Sequence, residues 1–272
     1  MSLRFHYHCL RRDVSNFSLL RHRDYTGFLV SMHQSGTHWL KHMLAVAIAA
    51  RHDLPPPRYS HANDIIGGVH DARLHVRGPV LVSSHSIPHA LVGSRLARRL
   101  IRFPPYVVLV RDMRASLVAN FEKWKDHYAC PFSEFLRGDM RGRRFNNDLW
   151  WCIRFCNAWG RIARRFPGDT LVVRYEDLQQ DPLRELGRID AFWKLELGAG
   201  ALQLGVSEST KDKLAAKRDP DTPGGVTVVR RDSRPAAAWF DAVDREFFSV
   251  TCRDLRRHDF GYDYGRWPAS SA

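Results

Sequence analysis

A glycine- and hydroxyl-rich segment follows an apolar run near the amino end of the chain. It reads Gln34-Ser35-Gly36-Thr37-His38-Trp39-Leu40 and leads into a helical pattern. Backbone N–H groups at the positive end of a helix, together with the hydroxyls of Ser35 and Thr37, can hold a phosphate or a sulfate. No lysine follows Gly36, so the GxxxxGK[ST] loop of a kinase or ATPase is absent. A simple Ser-Gly-Thr helix cap is the other interpretation.

Three more side chains with suitable chemistry, His85, Arg111 and Tyr175, stand at the carboxyl ends of β-rich runs. A neutral imidazole can accept a proton from a hydroxyl, and a guanidinium can hold a phosphate through two hydrogen bonds. The other interpretations are an ordinary loop histidine, one of fourteen in the chain, and an ion pair of Arg111 with Asp112 or a neighbour.

The elements that must position these residues alternate along the chain. The predicted strands are Gly27–Met32, Pro79–Ser84, Tyr106–Val110 and Thr170–Tyr175, and the predicted helices are Thr37–Arg51, Ala90–Arg102, Ala115–Tyr128 and Asn147–Phe166. Alternating strands and helices predict a single α/β domain with a central parallel sheet flanked by helices. Such sheets bind ligands at the carboxyl ends of their strands.

Four separated segments, in this order, resemble the sulfotransferase family that uses 3′-phosphoadenosine 5′-phosphosulfate (PAPS). QSGTHWL at 34–40 is similar to the family's YPKSGTTWL loop, and SSHSIPHAL at 83–91 to its KTHLPxxLL segment. VLVRDMRASLVA at 108–119 resembles RNPKDxxVS, and YEDLQQDP at 175–182 resembles YEDLxxDP. The resemblance covers about residues 27–262 and implies the P-loop-kinase-like fold of that family.

The resemblance also implies roles for particular residues. Its loop, from Gln34 to Trp39, would bind the 5′-phosphosulfate of PAPS, with Trp39 beside the adenine unless this indole packs in the core. Tyr175 would contact the adenine as well. His85 would be the catalytic base. The residues expected on the 3′-phosphate are Arg111, Arg230 and Arg231, with Arg230 preferred to Arg231. Arg114 is expected at the surface. Glu176 and Asp177 are expected to be structural, capping the following helix and pairing with basic neighbours.

The chain departs from the family pattern at three positions. Gln34 and Ser83 stand where the family has lysines, and Ala119 stands where it has a serine that binds the 3′-phosphate. Gln34 can still donate a neutral hydrogen bond to the departing oxygen, and Lys41, Lys123 or Arg230 could supply the lost charge. A nucleotide-binding module without transferase activity therefore stays open, as does a small-molecule kinase.

Composition limits the remaining alternatives. The chain has 42 Lys and Arg against 29 Asp and Glu, a net charge of +13, which favours anionic ligands and leaves an anionic-membrane or nucleic-acid binder open. No recognisable nucleic-acid motif accompanies this charge. Five cysteines without CxxC pairs predict reduced thiols and no metal site. The longest apolar run, Met43–Ala50, is too short to cross a bilayer.

From these observations we expect a cytoplasmic enzyme with PAPS as co-substrate and no metal. We expect a lead-in over residues 1–26, a sulfotransferase-like domain over 27–265 and a tail over 266–272. The acceptor stays open among small molecules, lipids, sugars and peptides, as does a homodimer. Residues 52–77 and the helices that carry Trp124, Tyr128, Trp150 and Trp151 could line its pocket or belong to the core.

Overall fold

Apolar runs covered on both faces form a parallel sheet in the computed structural model, which describes residues 3–15, 25–69, 71, 75, 77–145, 147–220 and 234–267. The strands are β1 (Gly27–Ser31), β2 (Gly67–Gly68), β3 (Leu81–Ser84), β4 (Tyr106–Val110) and β5 (Thr170–Arg174). Every residue of β1 and β4 is buried. The sequence predicts four of these strands, and it misses β2 because a Gly-Gly pair carries no apolar pattern.

The strand order is β2-β3-β1-β4-β5, and all neighbouring strands are parallel. The chain fills one side of β1 with β2 and β3 and then crosses to the other side for β4 and β5. Ligands of open parallel sheets bind beside such a switch point, at the carboxyl ends of the strands. In this protein that position is the loop after β1.

Helices cover both faces of the sheet. They are α1 (Leu3–Ser15), α2 (Thr37–His52), α3 (Arg95–Leu100), α4 (Met113–Tyr128), α5 (Phe132–Arg137), α6 (Leu149–Arg165), α7 (Tyr175–Gln180), α8 (Pro182–Trp193), α9 (Ala199–Ser207), α10 (Lys211–Ala216) and α11 (Ala242–Leu255). Phe28 and Val30 of β1 point into the core beneath α4, α6 and α11, whereas Leu29 points into the core beneath α2, α8 and α9. This alternation follows from the two-residue period of a strand.

The predicted helix over residues 90–102 is two elements in the structure. A 3-10 helix, Ala90–Gly93, ends at Ser94, whose Oγ accepts a hydrogen bond from the N–H of Ala97 and begins α3. A serine side chain competes for backbone hydrogen bonds and favours a helix start over a helix interior. The single-helix prediction for this stretch is therefore wrong.

The two ends of the chain include residues that pack on the domain. Helix α1 lies in the predicted lead-in, and the side chain of Phe5 is buried against Trp150 of α6. Near the other end, the indole N–H of Trp267 donates to Ser249 Oγ at 3.0 Å. The boundaries at residues 26 and 265 remain predictions.

Candidate active site

The loop between β1 and α2 passes twice through left-handed backbone conformations. The φ angle is 59° at Gln34 and 86° at Gly36. A Cβ atom at Gly36 would lie 2.6 Å from the ring of Tyr175, so no larger residue fits there. Turns of this kind direct successive backbone N–H groups toward one concave side, which suits an anion.

Helix α2 begins at Thr37 immediately after this loop. Its first N–H groups have no intrahelical partners, no side chain caps them, and the first turn contains no acidic residue. The Ser35 hydroxyl donates to the carbonyl of Met32, and the Thr37 hydroxyl donates to Ser31 Oγ at 2.8 Å. Both hydroxyls are thus engaged within the protein, and the backbone amides are the free donors of this loop.

His85 follows β3 and is held by the end of β1. Its Nδ1 lies 2.9 Å from the carbonyl oxygen of Ser31 and 3.1 Å from the Oγ of the same residue. A carbonyl can only accept, so Nδ1 carries the hydrogen and Nε2 keeps its lone pair. Burial lowers the pKa of His85 below 6.5, and the bond to Ser31 opposes this while the charges of Lys41 and Lys123 add to it. The imidazole is a neutral base.

His33, which the sequence analysis did not single out, stacks on His85. The ring centroids are 3.9 Å apart, and the other side of His33 contacts Trp151 at 4.7 Å. Burial lowers the pKa of His33 to about 2, with His85 and Lys123 contributing. Trp151 reaches this site from α6, so only the folded chain reveals the contact.

His38, in the first turn of α2, has an unpartnered buried Nδ1. Burial lowers its pKa to about 3, with smaller effects from Lys41, His85, Lys123 and His61. A neutral imidazole with a free nitrogen can donate to an acceptor atom or accept from a donor. It stands among the loop residues predicted to bind the donor molecule.

Arg111 joins the loop to the end of β4. Its Nη1 donates to the carbonyl oxygen of Gln34 at 2.8 Å, and its guanidinium carbon lies 4.4 Å from the ring centroid of Tyr175. Its Nε is buried without a partner. An arginine with an unused inward N–H beside an uncapped helix end suits a second anionic group.

Asp112 pairs with Arg114 and not with Arg111. Arg114 Nη2 lies 2.5 Å from Asp112 Oδ2, and Arg114 also donates to the carbonyl of Arg266 at 2.7 Å. The ion pair of Arg111 with Asp112 considered in the sequence analysis is therefore wrong. Arg114 is thus structural and only 13% exposed, whereas the sequence predicts a surface residue.

Glu176 connects three parts of the chain. Its carboxylate accepts from the N–H of Asp112 at 3.2 Å and from the hydroxyl of Tyr262. Because both oxygens are occupied within the protein, Glu176 is structural, in agreement with the sequence prediction.

Trp39 and Tyr175 form the aromatic part of the site. Their ring centroids are 6.2 Å apart at 71°. The indole N–H of Trp39 donates to the carbonyl of Ser209 at 3.0 Å. Trp39 is only partly buried, and it lies beside the loop as well as against the core beneath α2.

Two predicted arginines, Arg230 and Arg231, lie outside the described residues. Near Ala119, the position of the missing serine, the Asn120 amide donates to Tyr128 Oη and to the carbonyl of Asn147, whereas Ser116 Oγ is buried without a partner in the described part of the chain. The described residues contain no cluster of His, Cys, Asp or Glu suited to a metal ion. No helix among them is long and apolar enough to cross a membrane.

Comparisons with known proteins identify the family of the chain. The family model described as "Sulfotransferase domain" matches residues 25–219. No curated protein sequence matches the chain.

Two solved structures share the fold. Mouse sulfotransferase SULT7A1 complexed with PAP superimposes with a TM-score of 0.61 at 16% identity, over 90% of this chain and 89% of that one. Retinol dehydratase in complex with androsterone and inactive cofactor PAP gives 0.60 at 15% identity, over 94% and 88% of the two chains. With the family model spanning most of the chain, the protein belongs to the sulfotransferase family and is a PAPS-dependent sulfotransferase.

Proposed function

We propose that this sulfotransferase acts on a hydroxyl or amine of a small-molecule acceptor and uses His85 as its general base. One observation carries the proposal: the bond from His85 Nδ1 to the Ser31 carbonyl leaves the Nε2 lone pair available for a proton. The ring is neutral because burial lowers its pKa, so it can accept that proton. When the acceptor oxygen or nitrogen bonds to sulfur, its proton passes to Nε2, the bond between sulfur and the 5′-phosphate oxygen of PAPS breaks, and adenosine 3′,5′-bisphosphate leaves with that oxygen.

The loop residues support a binding site for PAPS, which supplies the sulfuryl group when it is bound. Gly36 lets the backbone approach a phosphate closely, and the uncapped start of α2 favours negative charge. The amides of Ser35, Gly36, Thr37 and His38 would hold the 5′-phosphosulfate end, with the Gln34 side chain near the oxygen that gains charge. The free Nε of Arg111 would hold the 3′-phosphate.

Aromatic side chains beside the base support an acceptor with an apolar body. His33 stacks on His85 and contacts Trp151, which is 7% exposed, whereas Phe155, which stacks on Trp151, is fully buried in the core. Trp124, by contrast, is 43% exposed and points to solvent. We expect the acceptor to approach His85 from the side of Trp151.

The location of the enzyme and its assembly stay predictions. All five cysteines are free thiols, including the buried Cys152, Cys156 and Cys252. Reduced thiols are typical of the cytoplasm, which supports a cytoplasmic location. Homodimer formation can be measured by sedimentation.

The test separates chemistry from binding with two matched variants. His85→Asn keeps a donor for the Ser31 carbonyl but cannot act as a base, so kcat should fall about 10²–10⁴-fold. Affinity for adenosine 3′,5′-bisphosphate (PAP), measured by calorimetry, should stay within a few-fold. His89→Asn is the control, because the Nδ1 of His89 accepts from the N–H of Leu91 and asparagine can do the same.

Full turnover by His85→Asn with labelled PAPS would show that another residue is the base. Loss of PAP binding in the same variant would instead assign His85 to the donor site. Either result overturns the role proposed for His85.

A further inference from the structure

Helix α3 presents two leucines to solvent. Leu96 is 66% exposed and Leu100 is 77% exposed. They are four residues apart, so they lie on one face of the helix, one turn from each other. Two neighbouring leucines exposed to this extent form an apolar ridge.

Arginines surround this ridge. Arg95, Arg99 and Arg102 are all exposed, and none of them has an acidic partner among the described residues. They precede or follow the leucines by one or two positions and therefore flank the ridge. Long arginine stems can lie along an apolar surface while the guanidinium stays in a polar layer.

A fourth arginine of the same helix points inward and fixes its orientation. Arg98 pairs with Asp169 at 2.7 Å, donates to the carbonyl of Val92 at 2.9 Å, and lies 4.1 Å from the ring centroid of Phe166. Only 10% of its side chain is exposed. Because Arg98 anchors one side of α3, the leucines are held on the outer side.

The chain that directly follows α6 contacts α3, because Arg98 lies over the ring of Phe166 and pairs with Asp169. A Cβ atom at Gly93, in the 3-10 helix before α3, would lie 3.6 Å from Ile162 of α6. The exposed residues Arg161, Arg164 and Arg165 follow at this end of α6, and within the described part of the chain no carboxylate pairs with them. We call the ridge and the arginines that flank it the α3 surface: Leu96, Leu100, Arg95, Arg99 and Arg102.

The α3 surface lies away from the candidate active site. Helix α3 leads into the amino end of β4, and α6 leads into the amino end of β5. The loop after β1, His85 and Arg111 lie at the carboxyl ends of the strands, which is the opposite edge of a parallel sheet. Changes at the α3 surface should therefore leave catalysis intact.

We propose that the α3 surface docks the protein on an anionic lipid bilayer. The arginines would lie among the lipid phosphates while Leu96 and Leu100 enter the boundary between headgroups and acyl chains. Binding to an anionic bilayer uses both the arginines and the leucines. Each basic residue near an anionic surface adds electrostatic attraction, and each leucine that enters the bilayer adds a favourable transfer free energy. A nucleic acid would use the arginines alone. The net charge of +13 also attracts the protein to an anionic surface, as these arginines do locally.

Vesicle sedimentation with the full chain tests the proposal. The protein should sediment with vesicles of phosphatidylcholine and phosphatidylglycerol, remain in solution with phosphatidylcholine alone, and bind less at high salt. Leu96→Ala/Leu100→Ala should lower the partition coefficient about tenfold or more. Arg95→Gln/Arg99→Gln should lower it about fivefold for each arginine removed.

Matched controls come from other exposed positions. Leu183→Ala/Leu204→Ala removes two exposed leucines elsewhere, and Arg141→Gln/Arg143→Gln removes the same charge from another exposed cluster. Both controls should bind anionic vesicles as the parent chain does. All four double variants should keep the parent turnover with PAPS.

Three results would overturn the proposal. The first is no sedimentation with anionic vesicles, and the second is an equal loss in the control variants. The third is unchanged binding by Leu96→Ala/Leu100→Ala together with tight binding of a DNA duplex, which would identify a polyanion site without lipid insertion.

Discussion

The imidazole rings of His33 and His85 lie face to face, 3.9 Å apart and inclined by 24°. One ring comes from the loop after β1 and the other from the end of β3, so the contact joins the anion-binding loop to the proposed base. Both rings are neutral because burial lowers their pKa values. Two stacked charged imidazoles would repel each other, whereas two neutral ones pack well. His33 is thus a positioning residue for His85.

The stack predicts an unusual pH dependence of activity. Below its own pKa, His85 is protonated and cannot accept a proton, and burial moves this pKa below 6.5. The parent enzyme should therefore hold its kcat/KM through pH 6.5 and lose activity only at lower pH.

The pH profile of kcat/KM, measured for two variants, tests the role of His33. His33→Phe keeps a flat ring on His85 and should leave unchanged the pH below which kcat/KM falls, which we call the acid limb of the profile. His33→Ala admits water beside His85 and should move that limb to higher pH. An acid limb at or above pH 6.5 in the parent enzyme, or identical profiles for both variants, would contradict this role.

The buried histidines also predict that the fold is sensitive to acid. Folding lowers the pKa of His33 to about 2 and that of His38 to about 3, and it lowers that of His85 as well. Below about pH 6.5 the unfolded chain therefore binds protons that the folded chain does not, so the free energy of unfolding falls as the pH falls. Each histidine contributes a slope of about 1.4 kcal/mol per pH unit.

Urea unfolding at several pH values between about 7.5 and 5 measures this slope. His33→Phe removes one of the histidines whose pKa burial lowers, a set that also includes His42 and His258, and should reduce the slope by about one proton. His127→Asn, at an exposed position, is the matched control and should leave it unchanged. A parent chain equally stable across this range would refute the linkage.

The sequence predicts those parts of the site that lie at strand ends. His85, Arg111 and Tyr175 each stand at the end of a β-rich run, and all three meet the loop after β1 because parallel strands end on one edge. The β-rich runs also predict the strands over Tyr106–Val110 and Thr170–Tyr175, and the second of these ends one residue earlier, at Arg174, in the structure.

Other features depend on contacts that the sequence does not show. The hydroxyls of Ser35 and Thr37 suit an anion by type, yet both donate within the protein. His33 becomes part of the site only because Trp151, far along the chain, packs against it. Arg111 does not pair with Asp112, because the Asp112 carboxylate pairs with Arg114. Each outcome is a competition between partners, which residue type alone does not decide.

Arg111 should distinguish two nucleotides. Its unpartnered Nε can bind a 3′-phosphate, which PAP carries and adenosine 5′-monophosphate lacks. Arg111→Ala should weaken PAP binding about 10- to 100-fold, the loss of one charge-assisted contact, and leave the binding of adenosine 5′-monophosphate nearly unchanged. Calorimetric titration of the two nucleotides measures both affinities, with Arg141→Ala as an exposed control. Equal affinity of the parent protein for the two nucleotides would contradict this role.

The positive charge missing at Gln34 and Ser83 has two candidate sources among the described residues. Lys41 is buried, its Nζ donates to Asn63 Oδ1 at 2.6 Å, and burial lowers its pKa to about 8 against the attraction of Asp71 and Asp64. Its ammonium is thus held by another partner. Lys123 on α4 has no acidic partner in the described part of the chain, and its charge lowers the pKa values of His33, His38 and His85. We expect Lys123 to supply the charge.

Turnover of single and double variants tests this assignment. Stabilising the charge that develops on the departing oxygen lowers the barrier, and each 1.36 kcal/mol is worth a factor of ten. Lys123→Ala should therefore reduce kcat about tenfold or more, whereas Lys125→Ala, an exposed lysine two positions along the same helix, should not. Gln34→Lys should restore turnover in the Lys123→Ala background and add little in the parent enzyme.

A gain of turnover by Gln34→Lys in the parent enzyme, with no loss of turnover in Lys123→Ala, would show that Lys123 does not fill this role. A loss confined to Lys41→Met or Arg230→Ala would assign the role to that residue instead.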